Sequence, residues 1–182
     1  MIDSAESYRR QVQASHKALG IAPDYASSCG LPLCREPTTL ADTEKDFYNR
    51  PQRLTPEALA AWQAMRDKAA ADGVVIHLIS AFRSLQQQHQ LIAGKLEKGQ
   101  SLANILCVNA APGYSEHHTG RAVDLGTSDC PALQEKFDKT EAFQWLAKHA
   151  PGFGFHLSYP PDNRFGIIYE PWHWCFKAEN ES

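Results

Sequence analysis

The sequence predicts an α+β fold with a central, mainly antiparallel sheet flanked by helices. Two stretches of helical periodicity (55–72, 84–98) and several β-branched or aromatic runs share one chain of 182 residues. They are mixed without the regular strand–helix–strand alternation of a parallel sheet. The last two apolar runs are separated only by the turn "PPDN" at 160–163, as strands of opposite direction require. At this length one domain is the default and a real core can form. We expect one unit over 1–182, with 1–54 wrapping a catalytic core at 55–176.

Each element has a local reason. Residues 4–18 suit a first helix, whereas 20–54, with Pro23, Pro32, Pro37 and Pro51 and little periodicity, read as an irregular wrap. Thr55 is a helix N-cap with Pro56 at the first helical position and Glu57 behind it. Leu59, Trp62, Met65 and Ala69 share a face, and Gly73 ends that helix. "VVIHLIS" (74–80) reads as a buried strand, His77 being a satisfied core or edge histidine. A helix follows from Ser84 to about Lys98, its apolar stripe of Leu85, Ile92 and Leu96 interrupted by the polar Gln88. Residues 109–119, with Pro112 and Gly113, form a loop before a short strand at 121–125. A helical stretch over 131–149 breaks near Thr140, and "FGFHLSY" (153–159) and "FGIIYEPWHWCF" (165–176) read as strands.

Composition narrows the function. A net charge of -3 argues against a basic nucleic-acid surface. No apolar run approaches the length of a bilayer span. The charged, helical N-terminus lacks the apolar stretch of a secretory signal, so a chain starting at Met1 is expected in the cytoplasm. There the five cysteines, Cys29, Cys34, Cys107, Cys130 and Cys175, are expected reduced, and no second pair accompanies Cys29 and Cys34 at zinc-finger spacing.

The chemistry concentrates in "SEHHTGRAVDLG" (115–126). Asp124 sits in a strand between Val123 and Leu125, and a buried carboxylate needs a partner. That partner is either a cation such as Arg121 or a metal ion. A catalytic zinc takes three protein ligands and keeps one position open. On an extended strand, the small Ala122 leaves room beside Asp124 on the same face, and Gly120 permits a bend that folds His117 or His118 over it. "YEPWHW" (169–174) offers His173 as a third ligand. Glu170 reaches the same centre only if Pro171 breaks the strand, because positions i and i+3 otherwise face opposite ways. The HExxH helix and the GxSxG elbow are both absent.

These motifs resemble the VanY-type D-alanyl-D-alanine carboxypeptidases, zinc peptidases related to VanX and to the hedgehog fold. "SEHHTGRAVD" is similar to S-x-H-x-x-G-x-A-x-D through Ser115, His117, Gly120, Ala122 and Asp124, and "EPWHW" to E-x-W-H through Glu170, Trp172 and His173. "SAFRS" (80–84) resembles S-G-Y-R-S, with Ala81 for Gly and Phe82 for Tyr, and Gln88 falls where a glutamine often follows. The resemblance covers about 55–176. It implies a hedgehog-like fold, Zn2+ held by His117, Asp124 and His173, and Glu170 as the catalytic base. His118 is left as a hydrogen-bonding or rim residue.

Zinc lowers the pKa of water from about 16 to about 7, and acid–base help from Glu170 adds roughly 100- to 10,000-fold in rate. The fork of Arg83 suits a C-terminal carboxylate or a developing oxyanion. Ser115 and Gln88 are further candidates for binding the substrate, and Trp172 and Phe82 for walling a small pocket. The resemblance implies peptidoglycan stem peptides as partners, with removal of the terminal D-alanine. Cytoplasmic location favours an L,D-carboxypeptidase that trims tetrapeptides in cell-wall recycling. A D,D-carboxypeptidase on pentapeptides, a D-Ala-D-Ala dipeptidase, or a non-catalytic zinc-containing binding module are the alternatives.

Overall fold

A computed structural model describes residues 4–178. Helix α1 (Ser4–Leu19) is followed by a single helical turn, α2 (Tyr25–Ser28), within the expected irregular segment. That segment also contributes a two-residue antiparallel pair, β1 (Ala41–Asp42) with β2 (Arg53–Leu54). Helix α3 (Pro56–Ala71) starts as its sequence dictates: Thr55 Oγ1 accepts from Ala58 N and Pro56 occupies the first turn. Its inner face, Ala58, Trp62, Met65 and Ala69, is buried.

Strand β3 is shorter than the sequence suggests, His77–Ser80 rather than 74–80. Gly73 turns the chain off α3 at φ +84°, and the neighbouring strand gives out at Gly126, opposite His77. Residues 74–76 therefore have no ladder to join, and Val75 is 60% exposed. His77 is a satisfied edge residue, hydrogen-bonded to Ser128 Oγ at 2.9 Å.

Helix α4 (Leu85–Glu97) opens on a capping box in which Ser84 Oγ accepts from Gln87 N and Gln87 Oε1 accepts from Ser84 N. Helix α5 (Leu102–Val108), capped by Ser101, was not foreseen. Strand β4 (Ala122–Gly126) is buried throughout its length. Thr140 caps α6 (Glu141–His149), preceded by a 3-10 turn at Glu135–Lys139, which is the break expected in 131–149.

Strands β5 (Phe155–Leu157) and β6 (His173–Phe176) complete a four-stranded sheet of order β3-β4-β6-β5 with antiparallel neighbours throughout. The run 165–176 is thus a strand only at its end. Before it, Ile168 N donates to Cys107 O, Glu170 N to Tyr159 O, and His173 N to Glu170 O, closing a turn across Pro171. These backbone groups find partners outside the sheet, so β6 begins only at His173.

Two apolar cores flank the functional region. One joins α3, α6 and one face of the sheet through Trp62, Met65, Val123, Leu125, Leu146 and Phe155. The other joins α1, α4 and α5 through Val12, Ile92, Ile105, Tyr159 and Ile167. Full burial of each large apolar side chain contributes about 1.5–3 kcal/mol. Alternation along β4 sends Val123 and Leu125 into the first core and Asp124 the other way. Among the described residues no helix is long and apolar enough to cross a membrane.

Candidate metal centre

Sheet register builds the site. Asp124 on β4 lies opposite His173 on β6 and, on its other side, opposite Ser80 on β3. His117 arrives from a 3-10 turn, Glu116–Thr119, that ends at Gly120 in the left-handed conformation, φ +66°. The left-handed bend favours glycine there, and a Cβ at Gly120 would also press on Leu40 Cδ2 at 2.8 Å and on Thr55 at 3.3 Å.

The three side chains converge. Asp124 Oδ2 lies 3.3 Å from His117 Nε2, and Asp124 Oδ1 lies 3.1 Å from His173 Nδ1. One donor atom from each residue falls within 4.8 Å of the others, the single such group among the described residues. All three are buried. Ligands 2.0–2.1 Å from a tetrahedral ion stand about 3.4 Å apart, so the spacing fits a small cation. The tautomers fit as well. His117 Nδ1 is paired with Ala81 O at 2.7 Å, which leaves Nε2 facing the cluster. His173 Nε2 is paired with Glu116 Oε2 at 2.9 Å, which leaves Nδ1.

The electrostatics point the same way. Burial opposes charge on every member, yet His117 and His173 hold Asp124 well below the usual carboxylate range. Burial would lower His173, but its bonds to Asp124 and Glu116 push it up to about 10. Among the described residues only these two histidines lie within ion-pair distance of Asp124 and Glu116, and burial lowers His117, favouring its neutral, ligating form. A pocket of that kind suits a divalent cation.

A cleft of about 410 Å³ opens over the cluster. Glu170 lines it, and burial raises its carboxyl to about 7. Arg83 lines it too, its guanidinium donating to Gln88 Oε1 at 2.8 Å and to Ser80 Oγ at 3.3 Å. The polar break in the stripe of α4 is thereby explained, since Gln88 bridges Arg83 to Ala110 O at 2.8 Å. Ser115 and Trp172 also face the cleft.

Phe82 does not line this cleft. Its N–H donates to Arg53 O, and its ring turns under the Arg53 guanidinium at 5.3 Å. The expected pocket wall is therefore absent on that side. His118 is not a rim residue either: it is fully buried, Nδ1 pairing with Arg83 O at 2.6 Å and Nε2 accepting from Gly113 N at 3.0 Å. It ties the segment carrying Arg83 to the loop before His117. Three further residues escaped the sequence reading. Glu116 holds His173; Tyr159 packs its ring against His173 at 5.0 Å; and Lys95 lines the cleft. A carboxylate adjoining a candidate ligand in "SEHH" was the available signal for the first, because ligating histidines usually donate their second N–H to such a group.

A family model described as VanY, D-alanyl-D-alanine carboxypeptidase, matches residues 51–179. A D-alanyl-D-alanine carboxypeptidase of Enterococcus faecalis is 29% identical over 145 residues, 74% of this chain and 52% of that protein. Among solved structures, the LdcB LD-carboxypeptidase aligns with a TM-score of 0.71 at 28% identity, covering 82% of this chain and 72% of that one. A mutant of the vancomycin-resistance D,D-pentapeptidase VanY in complex with Zn(II) aligns at 0.58 and 28% identity, covering 82% and 87%. The chain spans about half the length of the first curated relatives it matches.

Proposed function

The chain belongs to the VanY family of D-alanyl-D-alanine carboxypeptidases, and from that premise we propose that it is a zinc-dependent carboxypeptidase releasing the terminal D-alanine from peptidoglycan stem peptides. The observation that carries this reading is the convergence of His117, Asp124 and His173 at the floor of a cleft that also presents Glu170 and Arg83. Those three side chains would hold the ion, which when bound would supply a Lewis acid that acidifies water and polarises a carbonyl.

The chain's own residues do the rest. Glu170 takes a proton from the attacking water and delivers it to the leaving amine. Its backbone is pinned on both sides, N–H to Tyr159 O and C=O from His173 N, each at 3.0 Å, so the carboxylate is held in place beside the cluster. Arg83, fixed by Gln88 and Ser80, presents a rigid cation to the substrate's carboxylate or to the developing oxyanion. Ser115 lies in the cleft as a further hydrogen-bonding group, and Trp172 supplies an apolar wall.

Glu116 positions His173. Removing such a supporting carboxylate typically costs 10- to 100-fold in metal affinity. Glu116→Gln is therefore expected to weaken zinc binding by about that factor, read by competition with a chromophoric chelator, while the circular dichroism spectrum stays unchanged. Unaltered affinity would remove Glu116 from this role.

For the substrate, the L,D reading on tetrapeptides is favoured, supported by the likeness to the LdcB LD-carboxypeptidase and fitting a cytoplasmic role in cell-wall recycling. The Enterococcus relative supports D,D cleavage of pentapeptides as the second reading. Digesting purified tetrapeptide and pentapeptide side by side separates them. Release of alanine from the tetrapeptide is the expected result, and loss from the pentapeptide alone would reject the preference.

A further inference from the structure

The cleft holds a second cation that the chemistry above does not use. Gln88, Leu91 and Lys95 recur on α4 at i, i+3 and i+7, and all three line the cleft, so one stripe of the helix faces the substrate space. At 1.5 Å per residue, Lys95 stands about 10 Å along the axis from Gln88. Helical side chains lean toward the N-terminus, so its long stem reaches back toward the Arg83 guanidinium that Gln88 holds.

Neither cation makes a direct ion pair among the described residues, and the charges of Asp124 and Glu170 favour the Arg83 guanidinium only from beyond contact distance. Lys95 is half-buried, and among the described residues it has no ion-pair partner. Arg83 is bonded only to neutral oxygens, those of Gln88 and Ser80. Burial, followed by the charge of Arg83, works against the ammonium of Lys95, and Glu170 only partly offsets this. Two like charges sharing a partly dry cleft are costly unless an anion enters between them. A lysine serving solubility alone would extend into water instead.

We propose that Lys95 and Arg83 form a two-cation carboxylate site in the cleft, with Lys95 setting specificity by reading a carboxylate of the substrate. The identity of that substrate as a peptide rests on the proposed function. Two peptide carboxylates share the required chemistry: the free C-terminus, and a second carboxylate carried by a side chain near the scissile bond.

Calorimetric binding separates them and does not depend on turnover. The zinc-loaded Glu170→Ala protein, with and without Lys95→Met, is titrated with three ligands. These are a stem tetrapeptide with every carboxylate free, its C-terminal amide, and the peptide amidated at the side-chain carboxylate. Lys95→Met is expected to weaken the free peptide by about 10- to 100-fold, the usual worth of a hydrogen bond to a charged group. Lys95→Arg should restore most of that affinity. The peptide lacking the carboxylate that Lys95 reads will bind both proteins alike, which identifies the source. An equal loss for all three peptides, no loss for any, or no binding at all overturns the proposal. Absence of hydrolysis by the unsubstituted chain would refute the carboxypeptidase reading yet leave a charge-dependent difference in binding intact, so the two failures are distinguishable.

Discussion

Alanine in place of Glu170 is expected to lower kcat/KM by about 100- to 10,000-fold, the range of a lost general acid–base, while bound zinc stays at one ion per chain. The two outcomes separate because Glu170 stands outside the group formed by His117, Asp124 and His173. The turn that carries it is secured by backbone bonds to Tyr159 and His173, and these survive truncation of the side chain. Glu170 is only 8% exposed and makes no direct ion pair among the described residues, so no ionic contact is broken by its removal. Removing a desolvated carboxylate of that kind should leave the thermal midpoint unchanged or raise it. Glu170→Gln preserves the shape and removes the base. A matching loss of rate would assign the effect to proton transfer rather than to packing. Turnover equal to that of the parent chain, measured by alanine release, would strip Glu170 of its role. A parent chain that binds stem peptides without cleaving them would favour the alternative of a binding module.

How much of this was legible in the sequence depends on whether the signal is local. Thr55 with Pro56 announces α3 because capping is decided within four residues, whereas α4 is read from its apolar stripe and its Ser84–Gln87 capping box emerges only in the structure. Asp124 between Val123 and Leu125 announces a buried carboxylate because strand alternation is equally local. The failures are those of partners distant in sequence. Residues 74–76 have the composition of a strand, but β4 ends before it reaches them. Residues 165–170 are apolar, yet their backbone bonds go to Cys107 and Tyr159. Phe82 was assigned to the cleft by its place in a motif, whereas Arg53 on β2 draws the ring away. Of the two readings open for His118, hydrogen-bonding or rim, the first holds, with Arg83 O and Gly113 N enclosing it. Lys95 was invisible because only the packed helix shows that its stripe is the one facing the cleft.

Asp124→Ala is expected to abolish zinc binding in the micromolar range and hydrolysis with it. The loss should exceed the roughly 100-fold upper end for a supporting residue, since Asp124 belongs to the proposed ligand set itself. Its carboxylate joins the two histidines, one oxygen 3.3 Å from His117 and the other 3.1 Å from His173, so no neighbour substitutes for it. Glu116 is already engaged at 2.9 Å on the far nitrogen of His173. The measurement need not involve turnover. An ion that binds only the folded state stabilises it by about 4 kcal/mol at a thousandfold excess over Kd. Excess zinc should therefore raise the Tm of the parent chain by several degrees and leave that of Asp124→Ala unmoved. The substitution itself, by breaking a buried charged contact, should cost about 3–5 kcal/mol, and Asp124→Asn, which retains the volume, should cost less. Exhaustive chelation must reproduce the loss of activity in the parent chain, with recovery on adding zinc back. If the chelated protein keeps full activity, or Asp124→Ala still shows a zinc-dependent Tm, the site built by the β4–β6 register is not the metal centre.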